Sequence, residues 1–311
     1  MVSARIKIAA WAVLWILAGG VGLANADEPM AAEPRTVRVL DNIYTIVHGN
    51  GIDSNTTFLV TDEGAIVIDT RVTPGEARKV LDEIRKHTDK PVKYAINTHF
   101  HGDHTFGNQV FRESAAIIAH KNARSALSGS NGLDHLNFFK TFNIPGLDEV
   151  KVTPPNLVYE DRMELYLGPF HLQLIHLGRG HTDGDTAIYI KELRTIIAGD
   201  LVFNKKIPYV SSGYIDEWID SLSKLEDLDA EIIVPGHGDV GDKPILIRMK
   251  HYLIELRNYV TAELAKGSSL QQTRDAVRPV LREKYRDWLN LDWIDANIER
   301  AYLEFSVKKK T

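Results

Sequence analysis

Three histidines and one aspartate fall within six residues that follow a predicted β-strand, at His99, His101, Asp103 and His104. Side chains alternate along an extended backbone, so His99 and His101 are expected to point to the same side of the chain. Gly102 then permits a sharp turn that directs Asp103 and His104 towards a second position nearby. This density of imidazole and carboxylate groups predicts that one loop supplies ligands to two adjacent metal ions.

Three further candidate ligands, His181, Asp200 and His237, share one local context. In each case an apolar segment with the pattern of a strand is followed by a glycine and then by the ligand. Loops at strand ends often carry functional side chains because a rigid sheet supports them, and glycine lets the backbone turn tightly towards a site. The repetition predicts that these residues converge with the first group.

The residue types indicate which metal is expected. The chain contains no cysteine, so imidazole nitrogens and carboxylate oxygens remain, a set that suits zinc and also accommodates iron or manganese. Seven ligands are too many for one tetrahedral ion and divide between two, which would hold a shared water as hydroxide, the expected nucleophile. The expected division is His99, His101 and His181 on the first ion, Asp103, His104 and His237 on the second, and Asp200 between them.

Short apolar segments with alternating or β-branched residues predict two strand-rich regions. The first is an antiparallel meander followed by a helix at Glu76–His87 and two strands, and the second contains a helix at Asp216–Leu228. The polar, glycine-rich region from Asn122 to about Pro155 contains amphipathic pieces that are hard to assign, and helical spacing returns beyond Asp242. The predicted strands are Val37–Leu40, Ile43–Val47, Thr56–Val60, Ala65–Ile68, Val92–Asn97, Ala115–Ala119, Met163–Leu167, Phe170–Leu177, Thr186–Ile190, Thr195–Ala198 and Glu231–Val234.

The first residues predict export. A basic start, an apolar run from Ile8 to Leu17 and the triplet Ala24-Asn25-Ala26 form the pattern of a signal peptide at residues 1–26, and residues 27–36 are expected to be a flexible lead-in. No later stretch has the length and apolar character of a membrane span. Export without cysteine suits a periplasmic or secreted protein.

The charge of the chain argues against nucleic acid as a partner. The formal net charge is −5 and basic residues are scattered, whereas binding to a phosphate backbone requires concentrated positive charge. Lys308, Lys309 and Lys310 at the tail are expected to be solvated. A small-molecule substrate is therefore the expected partner.

The His99-x-His101-x-Asp103-His104 run resembles the most specific motif of the metallo-beta-lactamase superfamily, which includes glyoxalase II and many lactone, thioester and phosphodiester hydrolases. The segment from Gly51 to Thr56, the segment from Gly178 to Asp185 and the helical tail are similar to exported members associated with quinoprotein or sulfur-oxidation systems. The resemblance covers about residues 37 to 240. Its other matching segments are Val67-Ile68-Asp69-Thr70, Gly180-His181-Thr182, Ala198-Gly199-Asp200 and Pro235-Gly236-His237-Gly238.

The resemblance implies an α/β fold, the αββα four-layer sandwich, with a C-terminal helical extension. The implied boundaries are residues 37–241 for the superfamily domain and 242–311 for the extension. It also implies a glyoxalase II-like site and a binuclear zinc hydrolase that attacks an ester, lactone, thioester or amide-type bond. Asp103 would orient the nucleophile and accept its proton.

Departures from particular subfamilies narrow the expected substrates. Similar zinc β-lactamases have cysteine where this chain has Asp200, or lack a carboxylate bridge, so efficient β-lactam hydrolysis is not expected. Similar lactone hydrolases have tyrosine at the position of Phe203, and diiron flavoproteins have an acidic residue at that of His101. Two alternatives are a mononuclear iron persulfide dioxygenase and a noncatalytic metal-binding accessory of a periplasmic redox system.

Several other residues have two possible interpretations, one structural and one functional. Asp69 is either a turn residue or a hydrogen-bond partner of the His99–His104 loop, and His48 is a candidate for the mouth of the site. Lys205 and Lys206 are expected to be solvated rather than to contact a substrate carboxylate. The phenylalanines Phe138, Phe139 and Phe142 form either core or an apolar lid. The remaining histidines are expected to be packed or solvated, namely His87, His120, His135, His171, His176 and His251.

Overall fold

Twelve short strands alternate with helices in the part of the chain that the computed structural model describes, residues 33–48 and 53–308. The predicted signal peptide, most of the lead-in, residues 49–52 and two of the tail lysines lie outside these residues. The strands are β1 Arg35–Leu40, β2 Ile43–Val47, β3 Thr56–Thr61, β4 Gly64–Ile68, β5 Val92–Ile96, β6 Ala116–His120, β7 Leu157–Tyr159, β8 Arg162–Leu167, β9 Phe170–Ile175, β10 Ala187–Ile190, β11 Thr195–Phe203 and β12 Ile232–His237.

The helices follow the two strand-rich regions and then dominate the end of the chain. The first begins with an N-cap, since the Thr73 side chain accepts a hydrogen bond from Glu76 N and Pro74 occupies the first turn. The helices are α1 Pro74–Arg85, α2 Gly102–Thr105, α3 Asn108–Phe111, α4 Lys121–Ala126, α5 Gly129–Lys140, α6 Ile215–Glu226, α7 Lys243–Lys266, α8 Leu270–Lys284 and α9 Ile294–Lys308.

The strands form two sheets. In the first, β1 to β7 lie in chain order; β1 to β4 pair antiparallel, as predicted, and β4 to β7 pair parallel. In the second, the order is β12-β11-β10-β9-β8, with parallel pairing only between β11 and β12. The parallel strands of each sheet bring their carboxyl ends to one edge, where loops carry the candidate ligands.

Alternation along the strands buries one face of each sheet against the other. In β4, Ile66 and Ile68 pack in the core between the sheets, while Val67 packs on the opposite side against α1 and α3. In β11, Ile197 points between the sheets and Ile196 contacts the C-terminal helices. Helices therefore cover both outer faces, and the fold is the predicted αββα sandwich.

The C-terminal helices share one core with the second sheet. Leu253 and Leu256 of α7, Leu281 of α8 and Ile298 of α9 are fully buried together with Trp218 of α6. The described residues all belong to one compact unit. Within them, none of the helices combines the length and the apolar character that crossing a bilayer requires.

One predicted strand boundary was wrong, and the structure assigns one region that the sequence left open. The region from Asn122 to Pro155, whose amphipathic pieces were not assigned, contains α5 and most of α4, and β7 follows at Leu157–Tyr159. The helical pattern of α5 is weak because glycines and exposed apolar residues interrupt it. Strand β11, predicted to end at Ala198, continues to Phe203, so Asp200 lies inside a strand and not after one.

Candidate metal centre

The seven predicted ligands lie together at one edge of the two sheets, and all seven are buried. The loop after β5 and helix α2 carry four of them, the loop between β9 and β10 carries His181, β11 carries Asp200, and β12 ends at His237. Residues more than a hundred positions apart in the chain therefore converge on one small volume.

The backbone around the histidine run differs from the extended form that was expected. Strand β5 ends at Ile96, the chain bends over Thr98–Phe100, and His101 caps the short helix α2. Gly102 does not adopt a positive φ; a Cβ atom there would lie 2.3 Å from the Phe106 ring. Close packing, not backbone freedom, therefore explains this glycine.

The glycines that precede the other ligands have two different roles. Gly199 has a φ of 51°, at an irregularity in the pairing of β11 with β12, and turns Asp200 into the site. Gly236 has an ordinary φ, but a Cβ atom at this position would lie 1.9 Å from Asp200 Oδ1. The pattern of a glycine before each candidate ligand located the site correctly. The conformational freedom of glycine explains the pattern only at Gly199.

The first group of ligands consists of His99, His101, His181 and Asp200, whose candidate ligand atoms all lie within 4.8 Å of one another. His181 Nε2 lies 2.9 Å from His101 Nδ1 and 3.2 Å from Asp200 Oδ2. His99 Nε2 lies 3.8 Å from the same carboxylate oxygen. The three imidazoles thus surround one side of the Asp200 carboxylate.

The second group consists of Asp103, His104 and His237, also within 4.8 Å of one another. His104 Nε2 lies 3.2 Å from Asp103 Oδ2, and His237 Nε2 lies 3.3 Å from it. The other oxygen of Asp200, Oδ1, lies 3.2 Å from His104 Nε2 and 3.4 Å from His237 Nε2. Asp200 therefore presents one carboxylate oxygen to each group.

The residues of the two groups fit divalent metal ions. His99 Nε2, His104 Nε2, His181 Nδ1 and Asp200 Oδ1 are buried and have no hydrogen-bond partner among the described residues. Buried polar atoms without partners are costly and therefore rare in proteins. Nitrogen and oxygen donors gathered in this way are the usual ligands of zinc and of similar divalent ions.

Asp69 forms hydrogen bonds with the loop that carries the ligands. Of the two interpretations offered for Asp69, the structure therefore supports the hydrogen-bond partner. Its Oδ1 accepts a hydrogen bond from Thr98 N, and its Oδ2 accepts from Thr98 Oγ1, each at 2.8 Å. His104 Nδ1 donates to Asp69 Oδ2 over 2.7 Å, which leaves Nε2 of that ring free to bind a metal. His99 Nδ1 contacts Thr98 Oγ1 at 3.1 Å, so the same pattern extends to a second ligand.

The charges of the two groups balance each other. Burial opposes ionisation of Asp103 and Asp200, but the neighbouring histidines, chiefly His104 for Asp103 and His237 for Asp200, hold their pKa values well below the usual range. Burial likewise opposes a positive charge on His104 and His237, yet the carboxylates raise the pKa of both rings. The cluster thus favours carboxylates surrounded by positive charge, which metal ions would also provide.

Two contacts of the site were not predicted. Ser212 Oγ lies 3.1 Å from His101 Nε2. His135, expected to be an ordinary packed or solvated histidine, stacks on His101 with the ring centroids 5.6 Å apart. Nothing in the sequence near α5 distinguished His135 from other histidines, because its position depends on how α5 packs against the ligand loop.

Lys206 was expected to be solvated and is not. Only 2% of it is exposed, and its ammonium group has no hydrogen-bond partner among the described residues. Burial lowers the pKa of Lys206, while Asp200 and Asp53 oppose this change. Lys205 beside it is exposed, so the expectation was correct for one lysine of the pair.

His48 lies near the second ligand group but in a different network. Its Nε2 contacts the buried guanidinium of Arg71, and its Nδ1 lies 3.7 Å from Asp53. Burial and the positive charge of Arg71 lower the pKa of His48 to about 2, and the positive charges of Lys206 and His237 contribute. His48 is therefore neutral and is not one of the clustered metal-binding residues.

The C-terminal extension holds the loop that carries Lys206 and Ser212. Ile207 N donates to Leu289 O, and Leu289 N donates to Lys205 O. Asn297 of α9 donates to Pro208 O and accepts from Val210 N. Arg300 donates two hydrogen bonds to Gly213 O, at 2.9 and 2.6 Å. The extension thus supports one wall of the site.

Comparison with known proteins agrees with this geometry. The family model described as "Metallo-beta-lactamase superfamily" matches residues 49–237, which is more than half of the chain. A metallo-beta-lactamase type 2 from Bacillus cereus is 26% identical over 205 residues, covering 64% of this chain and 72% of that protein. The alpha subunit of a 2,4-dinitroanisole O-demethylase from Nocardioides sp. is 28% identical over 214 residues, which cover 68% of this chain and 58% of that protein.

A solved structure gives the same result for the fold. A metallo-beta-lactamase from Pontibacter korlensis superposes with a TM-score of 0.59 at 19% identity, covering 71% of this chain and 99% of that one. The family match spans the run from His99 to His104 and ends at His237, the last of the seven clustered residues. The chain therefore belongs to the metallo-beta-lactamase superfamily.

Proposed function

We propose that this protein is a binuclear zinc hydrolase that cleaves an ester, lactone, thioester or amide-type bond in a small molecule. The observation that carries the proposal is the position of Asp200 between two groups of ligands, with one carboxylate oxygen near each. A carboxylate placed in this way suits two ions held side by side.

Two such ions would supply Lewis acidity towards the scissile carbonyl and lower the pKa of a bound water. His99, His101 and His181 would hold the first ion, and Asp103, His104 and His237 the second, with Asp200 shared. The depressed pKa of Asp103 keeps its carboxylate ionised at neutral pH, so it would bind the second ion and orient the nucleophile by accepting a hydrogen bond, while the same low pKa makes it a weak proton acceptor. All seven side chains are buried, so solvent weakens the electrostatic interactions among them less than it would at the surface.

The relatives do not share one substrate, so they do not select a substrate for this chain. Three of the relatives are metallo-beta-lactamases, another is the O-demethylase subunit, and another is a linear primary-alkylsulfatase from Pseudomonas sp., 24% identical over 262 residues, which cover 46% of its length. The substrates of these proteins therefore differ. Asp200 lies between the two groups at the position where similar β-lactamases have cysteine. This difference supports a substrate other than a β-lactam.

The test is metal analysis combined with a substrate panel. Protein purified without added metal is analysed for metal content and then assayed with an ester, a lactone, a thioester and a lactam. About two zinc ions per chain and turnover of at least one compound would support the proposal. One iron per chain with oxygen uptake would favour a persulfide dioxygenase, and bound metal without turnover would favour an accessory protein.

Asp200→Ala is the variant that tests the bridging role. Removing both carboxylate oxygens should lower the occupancy of one ion and reduce activity by at least about a hundredfold. Both effects are expected because the same carboxylate would bind the two ions that catalysis needs. Metal content and kcat are measured on the same sample, with the exposed Asp62→Asn as a control. Full activity with both ions retained contradicts the assignment.

We also propose that the protein is exported, on the basis of the signal-peptide pattern in residues 1–26. Cleavage after Ala26 would leave Asp27 as the first residue of the mature chain. Amino-terminal sequencing of the protein from a periplasmic or culture-medium fraction tests this. An intact leader on protein found with the cytoplasmic fraction contradicts it.

A further inference from the structure

The imidazole rings of two candidate ligands, His99 and His104, share one arrangement. His99 Nδ1 contacts Thr98 Oγ1 at 3.1 Å, and His104 Nδ1 donates to Asp69 Oδ2 over 2.7 Å. In both rings Nε2 is buried and has no hydrogen-bond partner among the described residues. A neighbour outside the ligand set therefore holds Nδ1, and Nε2 is the nitrogen available to a metal ion.

His101 has the opposite arrangement. Its Nδ1 lies 2.9 Å from His181 Nε2, inside the first group of ligands. Its Nε2 lies 3.1 Å from Ser212 Oγ, and no other hydrogen-bond partner of this nitrogen lies among residues 33–48 and 53–308. Ser212 belongs to the loop between β11 and α6 and is not a ligand. In His101, therefore, Nδ1 faces the first group, and a neighbour outside the ligand set holds Nε2.

The groups around these two nitrogens indicate where the ring proton of His101 lies. A neutral imidazole carries its proton on one nitrogen and accepts a hydrogen bond at the other. His181 Nε2 lies 3.2 Å from Asp200 Oδ2, and a carboxylate only accepts, so the His181 proton is favoured on Nε2. That nitrogen then donates to His101 Nδ1. The proton of His101 is left on Nε2, where Ser212 Oγ accepts it.

We propose that Ser212 is a positioning residue that holds the ring proton of His101 on Nε2 and so presents Nδ1 to the first metal ion. The inference rests on the metal-binding part of the proposed function and adds a residue outside the seven ligands. Metal-binding histidines commonly donate their second ring nitrogen to a neighbouring acceptor, which fixes the tautomer and the orientation of the ring. Ser212 Oγ is the acceptor that this fold supplies to His101.

The backbone on both sides of Ser212 is held in place. Gly213 N donates to Val210 O over 2.8 Å, which closes a turn that contains Ser212. Two side chains of α9 hold this turn: Arg300 donates two hydrogen bonds to Gly213 O, and Asn297 Oδ1 accepts from Val210 N at 3.2 Å. The turn therefore keeps the serine hydroxyl within reach of the imidazole, as the selection of one tautomer requires.

The other orientation of the His101 ring is unfavourable. Rotating the ring by half a turn would put carbon atoms where Nδ1 and Nε2 now lie, so the contacts with His181 and Ser212 would both be lost. The ring is also enclosed, since His135 stacks on it with centroids 5.6 Å apart and Tyr209 meets it edge-on at 6.0 Å. The observed orientation is the one in which both nitrogens have partners.

Nitrogen NMR of protein labelled in its histidine rings tests the tautomer. In the metal-free wild type, His101 should carry its ring proton on Nε2. After loading with an NMR-active cadmium isotope, the metal should couple to Nδ1 of His101 but to Nε2 of His99 and His104. The His101 signals are assigned by their absence in His101→Asn. A proton on Nδ1 in the metal-free protein, or coupling of cadmium to Nε2 of His101, overturns the proposal.

Two variants of Ser212 test its effect on metal affinity. Ser212→Ala removes the acceptor and should weaken binding of the first ion at least about tenfold, whereas Ser212→Thr keeps a hydroxyl and should stay within about threefold of the parent. Titration against a chromophoric chelator is done in the His237→Asn background, which lacks a ligand of the second ion, so the first ion is measured alone.

Ser130→Ala, at an exposed serine of α5, is the matched control and should leave the affinity unchanged. Ser212→Ala with the affinity of its parent contradicts the proposal. Equal losses in the alanine and threonine variants also contradict it, because the hydroxyl would then have no specific role.

Neither measurement needs turnover, so this inference and the proposed hydrolase function can fail separately. Cadmium coupled to His101 Nδ1 in a protein that cleaves no compound of the substrate panel supports the role of Ser212 and contradicts the hydrolase function. An active protein whose His101 binds the metal through Nε2 gives the reverse result. Absence of any bound metal overturns both.

Discussion

Asp69 shows how one residue outside the ligand set fixes the ligands. It has a φ of 63°, a left-handed conformation that aspartate tolerates better than most residues, and this conformation ends β4 with the carboxylate directed at the next loop. There it accepts hydrogen bonds from Thr98 and from His104 Nδ1. The direction of the His104 ring, and which of its nitrogens faces the centre, therefore depend on Asp69.

Asp69→Asn should weaken binding of the ion held by His104 by about tenfold to a hundredfold, because the ring loses the carboxylate that orients it and raises its basicity. Asparagine keeps the size and tolerates the same backbone conformation, so folding should be retained. Titration against a chromophoric chelator gives the affinity of each ion. The exposed Asp62→Asn is the control, and unchanged affinity for both ions in Asp69→Asn refutes the role.

The burial of the Lys206 side chain is expected to destabilise the protein. A buried ammonium without a hydrogen-bond partner is unfavourable, and nearby metal ions would add repulsion. Lys206→Met should therefore stabilise the metal-loaded protein by about 1 to 3 kcal/mol in denaturant unfolding, whereas the exposed Lys205→Met should stay within about 0.5 kcal/mol. A metal-loaded Lys206→Met that is less stable than the wild type contradicts this interpretation.

At the scale of elements, the loop from β11 to α6 depends on the C-terminal helices. Asn297 is fully buried and satisfies Pro208 O, Val210 N and the Tyr252 hydroxyl. The Trp293 ring contacts Tyr209, with centroids 5.7 Å apart. Because the same loop places Ser212 against His101, the extension belongs to the architecture of the site.

Asn297→Ala should lower the free energy of unfolding by about 2 to 4 kcal/mol, since it leaves a buried amide, a carbonyl and a hydroxyl without partners. Hydrogen exchange should increase locally at Val210 and its neighbours. Asn258→Ala, on the exposed side of α7, should change stability by no more than about 0.5 kcal/mol. Equal stability of the two variants would show that the contacts with Asn297 contribute nothing.

At the scale of the whole molecule, the two ions are expected to leave at different pH values. Without metal, burial opposes charge on His104 and His237, but their carboxylate neighbours raise both pKa values above the usual 6.5. Burial lowers the pKa of His99, His101 and His181. A proton competes with the metal at each ring, so acidification weakens binding first at the second group.

The measurement is metal content per chain after equilibration between about pH 8 and about pH 5. One equivalent should be lost at a higher pH than the other, and His237→Asn should abolish the first step. His171→Asn, which replaces a histidine outside the ligand groups, is the control. Loss of both ions in one step, or constant occupancy down to about pH 4, contradicts the expectation.

The sequence by itself indicated the seven candidate ligands and most of the elements. The run from His99 to His104, the glycines before the other candidates and the absence of cysteine restricted the site to seven imidazoles and carboxylates, which the structure brings together. Periodicity located the meander and the C-terminal helices because each buries one face, and one-sided burial leaves a local pattern in the chain. Residues 1–26 and the exact domain boundaries remain predictions.

Only the tertiary structure decided the properties that depend on distant contacts. Lys206 is buried because the assembled fold brings its side chain close to Asp200 and Asp53, and the position of His135 is set by the docking of α5 on the ligand loop. The same holds for Gly236, whose necessity comes from the Asp200 carboxylate. Local sequence specifies which face of an element is apolar, whereas the neighbours of a given atom are fixed only when the layers assemble.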